Sequence, residues 1–276
     1  MKKLLFILSL CAIICSGCWK HGMHADNGND IFKSWKYSTQ AILNETVNLA
    51  FISNAWINGD DDTRRLIEDI YFTDTRIRHE GGNEYGIYRG TQQLLLINTG
   101  GKTIDEDDAN WLITRYSNYD QYYADGIRPV FLGSYNHTRL NISRQGIDKW
   151  AVKLDSLTCS GSTTDWTITV PDNEIPVSLF NTNFTLSGSG VFLFDGSAYY
   201  DNYHHVQSPV TMRYEIVTPL RQRISDKCLF ESGVVDIIVS KESYEDLSLR
   251  AEILETNQYH LVYRGKESYY TFPNEQ

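Results

Sequence analysis

From Thr73 to its end the chain alternates apolar and polar residues with a period of two, and this limits the fold more than any other feature. Arg76-Ile77-Arg78-His79 and Tyr85-Gly86-Ile87-Tyr88 flank Gly81-Gly82-Asn83, a hairpin signal. Further strand-like segments follow at Leu94–Asn98, Trp111–Tyr116, Val130–Leu132, Trp150–Leu154, Trp166–Val170, Val177–Leu186, Gly190–Phe194 and Val210–Val217. Four more follow at Val234–Val239, Leu247–Leu254, Tyr259–Tyr263 and Tyr269–Phe272. β-branched and aromatic residues dominate them, and Gly, Asn, Asp and Ser separate them. No helical segment falls between the later strands, so short connections must join antiparallel neighbours. The expected fold is mainly β, an antiparallel sandwich or partly open barrel. Three strands open alike, at Asn110-Trp111, Lys149-Trp150 and Asp165-Trp166, and these tryptophans are expected at the rim, with the indole N–H in water.

Ahead of the strands the period is 3.6. Ile42, Leu43, Val47, Leu49, Ala50, Phe51 and Ile52 place an apolar face on a helix over Ile31–Ile57, which ends at Asn58-Gly59. Asp60 to Asp62 put negative charge at the start of a second helix, Thr63–Phe72, with Leu66, Ile67, Ile70 and Tyr71 inward. Residues 31–72 thus form a helical segment, read as a hairpin, and 73–276 a β-rich domain. The turn-rich stretch Gly126 to Gly146 is where that domain would subdivide.

The 276 residues are 41% hydrophobic, enough for a real core. The formal charge is −10. An acidic chain is a poor match for nucleic acid, which needs a basic face to neutralise phosphate, and for anionic lipid headgroups.

The first residues explain how such a chain meets a membrane. Lys2 and Lys3 precede an apolar run, Leu4 to Ile14, too short to span a bilayer but suited to a cleaved signal peptide over residues 1–17. Ser16-Gly17-Cys18 follows, and this ending resembles the lipobox of bacterial, Bacteroidetes-type envelope lipoproteins, with Cys15 where that pattern has an aliphatic residue. The resemblance covers the extreme N-terminus alone. It implies cleavage before Cys18, acylation of that thiol and a membrane partner reached through the lipid. Residues 18–30 then read as a polar tether. Trp19 stands where Asp resembles an inner-membrane retention signal, and Trp19-Lys20-His21-Gly22 lacks the acidic run of surface-displayed lipoproteins. The outer membrane is therefore expected, on its periplasmic leaflet in preference to the cell surface. Export also favours oxidation of cysteine. Cys159 and Cys228 are the pair left after processing, as a disulfide or as two separate buried thiols.

Several segments carry chemistry, each with a plain alternative. Gly100-Gly101-Lys102-Thr103 lacks the earlier glycine of a phosphate loop, since Leu96 stands there, and reads as a turn. Asp105-Glu106-Asp107-Asp108 has no spacers or sharp glycine turn for calcium and reads as a solvated loop. Asp195 to His205 holds two histidines side by side, which an extended chain points to opposite faces, so no metal is expected. Ser187-Gly188-Ser189-Gly190 reads as a hairpin turn, and there is no Gly-x-Ser-x-Gly elbow. Asp155-Ser156-Leu157 resembles the short O-glycosylation sequon of Bacteroidetes exported proteins.

Tyrosine is the residue type that points to binding. The chain has 18, with clusters at Tyr116, Tyr119, Tyr122, Tyr123 and at Tyr199, Tyr200, Tyr203. Aromatic faces stack on sugars while neighbouring amides and carboxylates bond their hydroxyls. The expected function is that of a tethered, non-catalytic lipoprotein that binds a glycan, another small polar ligand or an envelope protein. Tyr119, Tyr122, Tyr123, Tyr200 and His204 are the candidate contacts, and no cofactor is expected. The alternatives are an exported hydrolase acting on polysaccharide or peptide, and a structural subunit of an envelope assembly.

Overall fold

A computed structural model describes residues 27–116, 138–154, 162–171, 175–194, 200–201, 204–205, 210–224, 229–241, 245–254 and 258–271. One helical rod opens the described residues: α1 (Asn27–Ile42), a π-helical turn (Leu43–Val47) and α2 (Asn48–Asn58). The short α3 (Asp61–Tyr71) follows, capped by Asp60, whose carboxylate accepts from the Thr63 N–H. It folds back on the end of α2, where Trp56 Nε1 donates to Glu68 Oε1 (2.8 Å) and Arg64 donates to the Trp56 and Ile57 carbonyls.

The strands come next: β1 (Arg76–Gly81), β2 (Glu84–Arg89), β3 (Gln92–Asn98), β4 (Asn110–Arg115), β5 (Thr138–Gly146), β6 (Lys149–Leu154), β7 (Thr163–Thr169) and β8 (Thr185–Phe194). Then follow β9 (Tyr200–Asp201), β10 (His204–His205), β11 (Val210–Arg223), β12 (Leu229–Lys241), β13 (Leu247–Leu254), β14 (Gln258–Tyr263) and β15 (Lys266–Thr271). Thirteen of them form one antiparallel sheet in chain order, with β9 and β10 set aside as a separate pair between β8 and β11. The antiparallel β class expected from the alternation is found, as one open sheet whose edges are β1 and β15.

The second layer is the helical rod. At 1.5 Å per residue it is about 48 Å long, and it crosses strands whose outermost members lie about 58 Å apart along the sheet. Its contacts run in reverse strand order: Phe32 on Tyr259 of β14 (4.6 Å between ring centres), Trp35 on Tyr214 of β11 (5.9 Å), Phe51 on Trp150 of β6 (5.4 Å) and Trp56 on Tyr85 of β2 (6.5 Å). Ile31, Phe32, Trp35, Lys36, Ser38, Thr39, Gln40, Ile42 and Leu43 are all buried. At 100° per residue they cover an arc of about 200°, roughly twice the stripe of a surface helix. The sheet is therefore concave, and the rod lies in its trough. Lys36 is held there over the Tyr259 and Tyr37 rings. Among the described residues no helix is long and apolar enough to cross a membrane.

Curvature has local causes. Gly188 in β8 has φ +119°, and a Cβ there would stand 2.1 Å from the Asp165 carbonyl oxygen. Next to it, the β11 pairing slips between Ile216 and Leu220, with Pro219 inside the slip. In β12, Gly233 (φ +132°) lies against Leu220 and Pro219. A glycine, a bulge and a glycine on three adjacent strands bend the sheet along one line.

Four expectations need correction. Ser187-Gly188-Ser189-Gly190 is no turn but the interior of β8, glycine-rich because β7 and Tyr214 approach too closely for a Cβ. Val177–Leu186 is not one strand: Leu179–Asn181 is a 3-10 turn, because Asn48 Oδ1 accepts from Ser178 Oγ and the Leu179 N–H, and β8 starts only at Thr185. The three tryptophans are not at a solvated rim. Trp111, Trp150 and Trp166 are buried in the trough, and their N–H groups donate inward to Lys102 O, Ile104 O and Tyr214 Oη. On α3 only Ile67 is buried; Leu66 and Ile70 are 59% and 55% exposed, because α3 sits past the end of the rod and meets the core on one side only.

Candidate functional site

The alternation that fills the trough also sets the opposite, convex face. On β3 and β4, Leu95, Ile97, Trp111, Ile113 and Arg115 point in, so Leu96, Asn98, Leu112 and Thr114 point out. Register lines them up with β2 and β5. One row across the strands is Glu84, Asn98, Leu112, Asn141, and the next is Gly86, Leu96, Thr114, Arg139. Between these rows lies a groove of about 490 Å³ lined by Glu84, Leu96, Asn98, Leu112, Thr114, Tyr116 and Arg139.

Each side of the groove has a local cause. Glu84 is fixed by Asn98, whose Nδ2 donates to its Oε1 (3.2 Å). Leu96 and Leu112 are diagonal neighbours, since Leu96 pairs with Thr114 and Leu112 with Asn98. They form an apolar floor where an outward face normally carries polar groups. Tyr116 ends the wall just past β4, its N–H bonded to the Leu94 carbonyl (2.8 Å). Gly86 leaves room for the Tyr88 ring, which a Cβ would meet at 2.5 Å. Burial, and then the hydrogen bond with Glu80, holds the Tyr88 hydroxyl above its ordinary pKa.

Behind this floor the rod grips β4. Arg115, inward between Thr114 and Tyr116, forms a buried ion pair with the Glu45 carboxylate and donates Nη1 to the Glu45 carbonyl (3.2 Å). Glu45 lies in the π-helical turn, whose wider winding leaves carbonyls for partners outside the helix. Burial pushes the Glu45 carboxyl above the usual carboxylate value, while the Arg115 guanidinium pulls it down. The β3–β4 loop is clamped in the same way, with the Ile104 N–H donating to Asn54 Oδ1 and its carbonyl accepting from Trp150. A second depression, about 400 Å³, lies at the end of α3 among Glu68, Asp69, Phe72, Thr73, Thr75 and Arg76.

The residues expected to carry function are placed unevenly. Cys18, Tyr119, Tyr122, Tyr123, Cys159 and Cys228 lie outside the described residues. Tyr200 and His204 are described by backbone alone, in the β9–β10 pair that joins His204 to Asp201 and His205 to Tyr200. Among the described residues, Tyr116 is the member of the first cluster that lines the groove. The acidic run Asp105 to Asp108 is exposed, and among the described residues no group of three His, Cys, Asp or Glu could hold a metal ion.

Glu84, Leu96, Asn98, Leu112, Thr114 and Arg139 were missed from sequence. A faint signal existed: Leu94-Leu95-Leu96-Ile97 is apolar at both parities, so one leucine had to face away from the core. Chemically, the lining offers an apolar floor, a carboxylate, a guanidinium, a hydroxyl, an amide and a phenol, and on its β1 side Arg78 and the Glu80 carboxylate stand beside Gly86 and Tyr88. No family model, curated protein or solved structure matches the chain.

Proposed function

We propose that the protein is a lipid-anchored envelope lipoprotein, held in the outer membrane by acylated Cys18, that binds a small polar ligand without transforming it. The observation that carries the binding role is the convex groove of β2–β5, where Leu96 and Leu112 make an apolar floor walled by Glu84, Asn98, Thr114, Tyr116 and Arg139. Its volume falls in the range of ligand sites, roughly 300–1,000 Å³.

The placement also suits a tethered binder. The rod begins against β13 and β14, where Gly28 meets Leu249 and Tyr263. The groove is about eight strand spacings away, roughly 38 Å along the sheet. A ligand would be met well away from the tether.

Two measurements test this. Palmitate should label the wild-type protein and not Cys18→Ser. A glycan and metabolite array against the mature lipoprotein should return a ligand whose binding is lost on substitution in the groove. Uniform failure to bind would shift weight to a structural subunit, a reading favoured by the open edges β1 and β15.

A further inference from the structure

We infer that the groove takes a neutral oligosaccharide of two or three pyranose units, laid across β2–β5 at right angles to the strands. The inference rests on the groove being the ligand site.

Charge selects a neutral ligand. Acids and bases are matched in number, with Glu84 and Arg139 in the lining and Glu80 and Arg78 at its β1 side, and Glu84 already accepts from Asn98. The chain as a whole carries −10, so a polyanion would be repelled on approach. A cationic ligand would meet Arg78 and Arg139 as well as the two carboxylates.

Shape selects a sugar. A pyranose has a face of C–H groups and a rim of hydroxyls. The diagonal pair Leu96 and Leu112, with the Tyr116 ring beside it, offers apolar surface for the face. Asn98, Thr114, Glu84 and Arg139 stand around it with donors and acceptors for the rim.

Spacing sets the direction and length. Adjacent strands are about 4.8 Å apart, close to the advance of one pyranose along a linear chain. The rows from β2 to β5 cover three such steps, about 14 Å. A peptide is disfavoured by position: strand addition needs a free edge, and β2–β5 are interior strands with β1 outside them.

The test uses the mature, detergent-solubilised lipoprotein in calorimetric titrations. The probes are neutral linear hexose oligomers of one to five units, uronic acid oligomers of the same lengths, and short uncharged peptides. Affinity for the neutral series should rise up to two or three units and then level off. Uronic acid oligomers should bind at least tenfold more weakly. Leu112→Asp should lower affinity for the neutral trimer at least tenfold, and Leu112→Asn, the milder variant, should do so should the first fail to fold. Peptide or uronic acid binding that Leu112→Asp abolishes would overturn the neutral-sugar inference and leave the groove a ligand site. Sugar binding indifferent to both substitutions, or no binding by any probe, would overturn the site as well.

Discussion

The convex face is built differently at its two ends. On β11–β15 the outward groups engage one another. Arg250 donates to both Asp236 oxygens (2.7 and 2.6 Å), Arg213 to Ser240, and Arg221 pairs with Glu231. His260 stacks on Tyr269, with Glu252 near one ring nitrogen (3.4 Å) and Glu267 near the other (3.5 Å). On β2–β5 the centre of the face is instead a pair of leucines in a groove. On β11–β15 apolar area is single and scattered, as at Ile238, 41% exposed between Arg213 and Ser248. On β2–β5 two leucines adjoin in one depression, which is the arrangement that another molecule can cover.

Five substitutions test that comparison, from the largest expected effect to the smallest. Trp166→Ala strikes the trough beneath both ends. It removes a buried indole and the donor to Tyr214 Oη, and should cost about 3–5 kcal/mol in denaturant unfolding. Gly188→Ala forces a Cβ against the Asp165 carbonyl in a left-handed backbone and should cost about 3 kcal/mol. If the loss is under about 1 kcal/mol, the bend does not depend on that glycine.

The third is a pH effect. Burial holds the Tyr214 hydroxyl well above its ordinary value. The unfolded chain therefore releases this proton first, and stability should fall as pH rises past about 10. Tyr214→Phe should flatten that part of the pH–stability curve; an unchanged slope would assign the alkaline loss to other tyrosines. The smallest effect belongs to the groove. Leu112→Asp should shift stability by no more than about 0.5 kcal/mol, since the side chain is 39% exposed. Arg250→Gln at the other end should also be mild, and its effect should fade in high salt while that of Leu112→Asp persists. A large loss from Leu112→Asp would make the leucines structural and erase the contrast.

Much of the frame was legible because alternation reports burial directly. β13 reads Leu247, Leu249, Ala251, Ile253 in and Ser248, Arg250, Glu252 out, as the structure has it. The rod was legible too, though the π-helical turn was not; the Arg115 that bonds its Glu45 carbonyl lies 70 residues away. Trp111, Trp150 and Trp166 were misplaced because their N–H acceptors, Lys102 O, Ile104 O and Tyr214 Oη, are brought to them only by folding. Leu66 and Ile70 were misplaced because an apolar helix stripe does not say whether another element will reach it. The groove was hidden for a similar reason. Its residues come from four strands and become neighbours through register, while the aromatic loops that drew attention are sequence clusters.

The order of the strands also governs how the protein must form. Each strand closes on the one just made, so the sheet can zip hairpin by hairpin as a local process. The rod breaks that locality. Phe32 rests on Tyr259, so the first segment made waits for nearly the last before its α1 half is covered. A chain made from its N-terminus presents α1 long before β14 arrives, and that interval is when a chaperone would have most to hold.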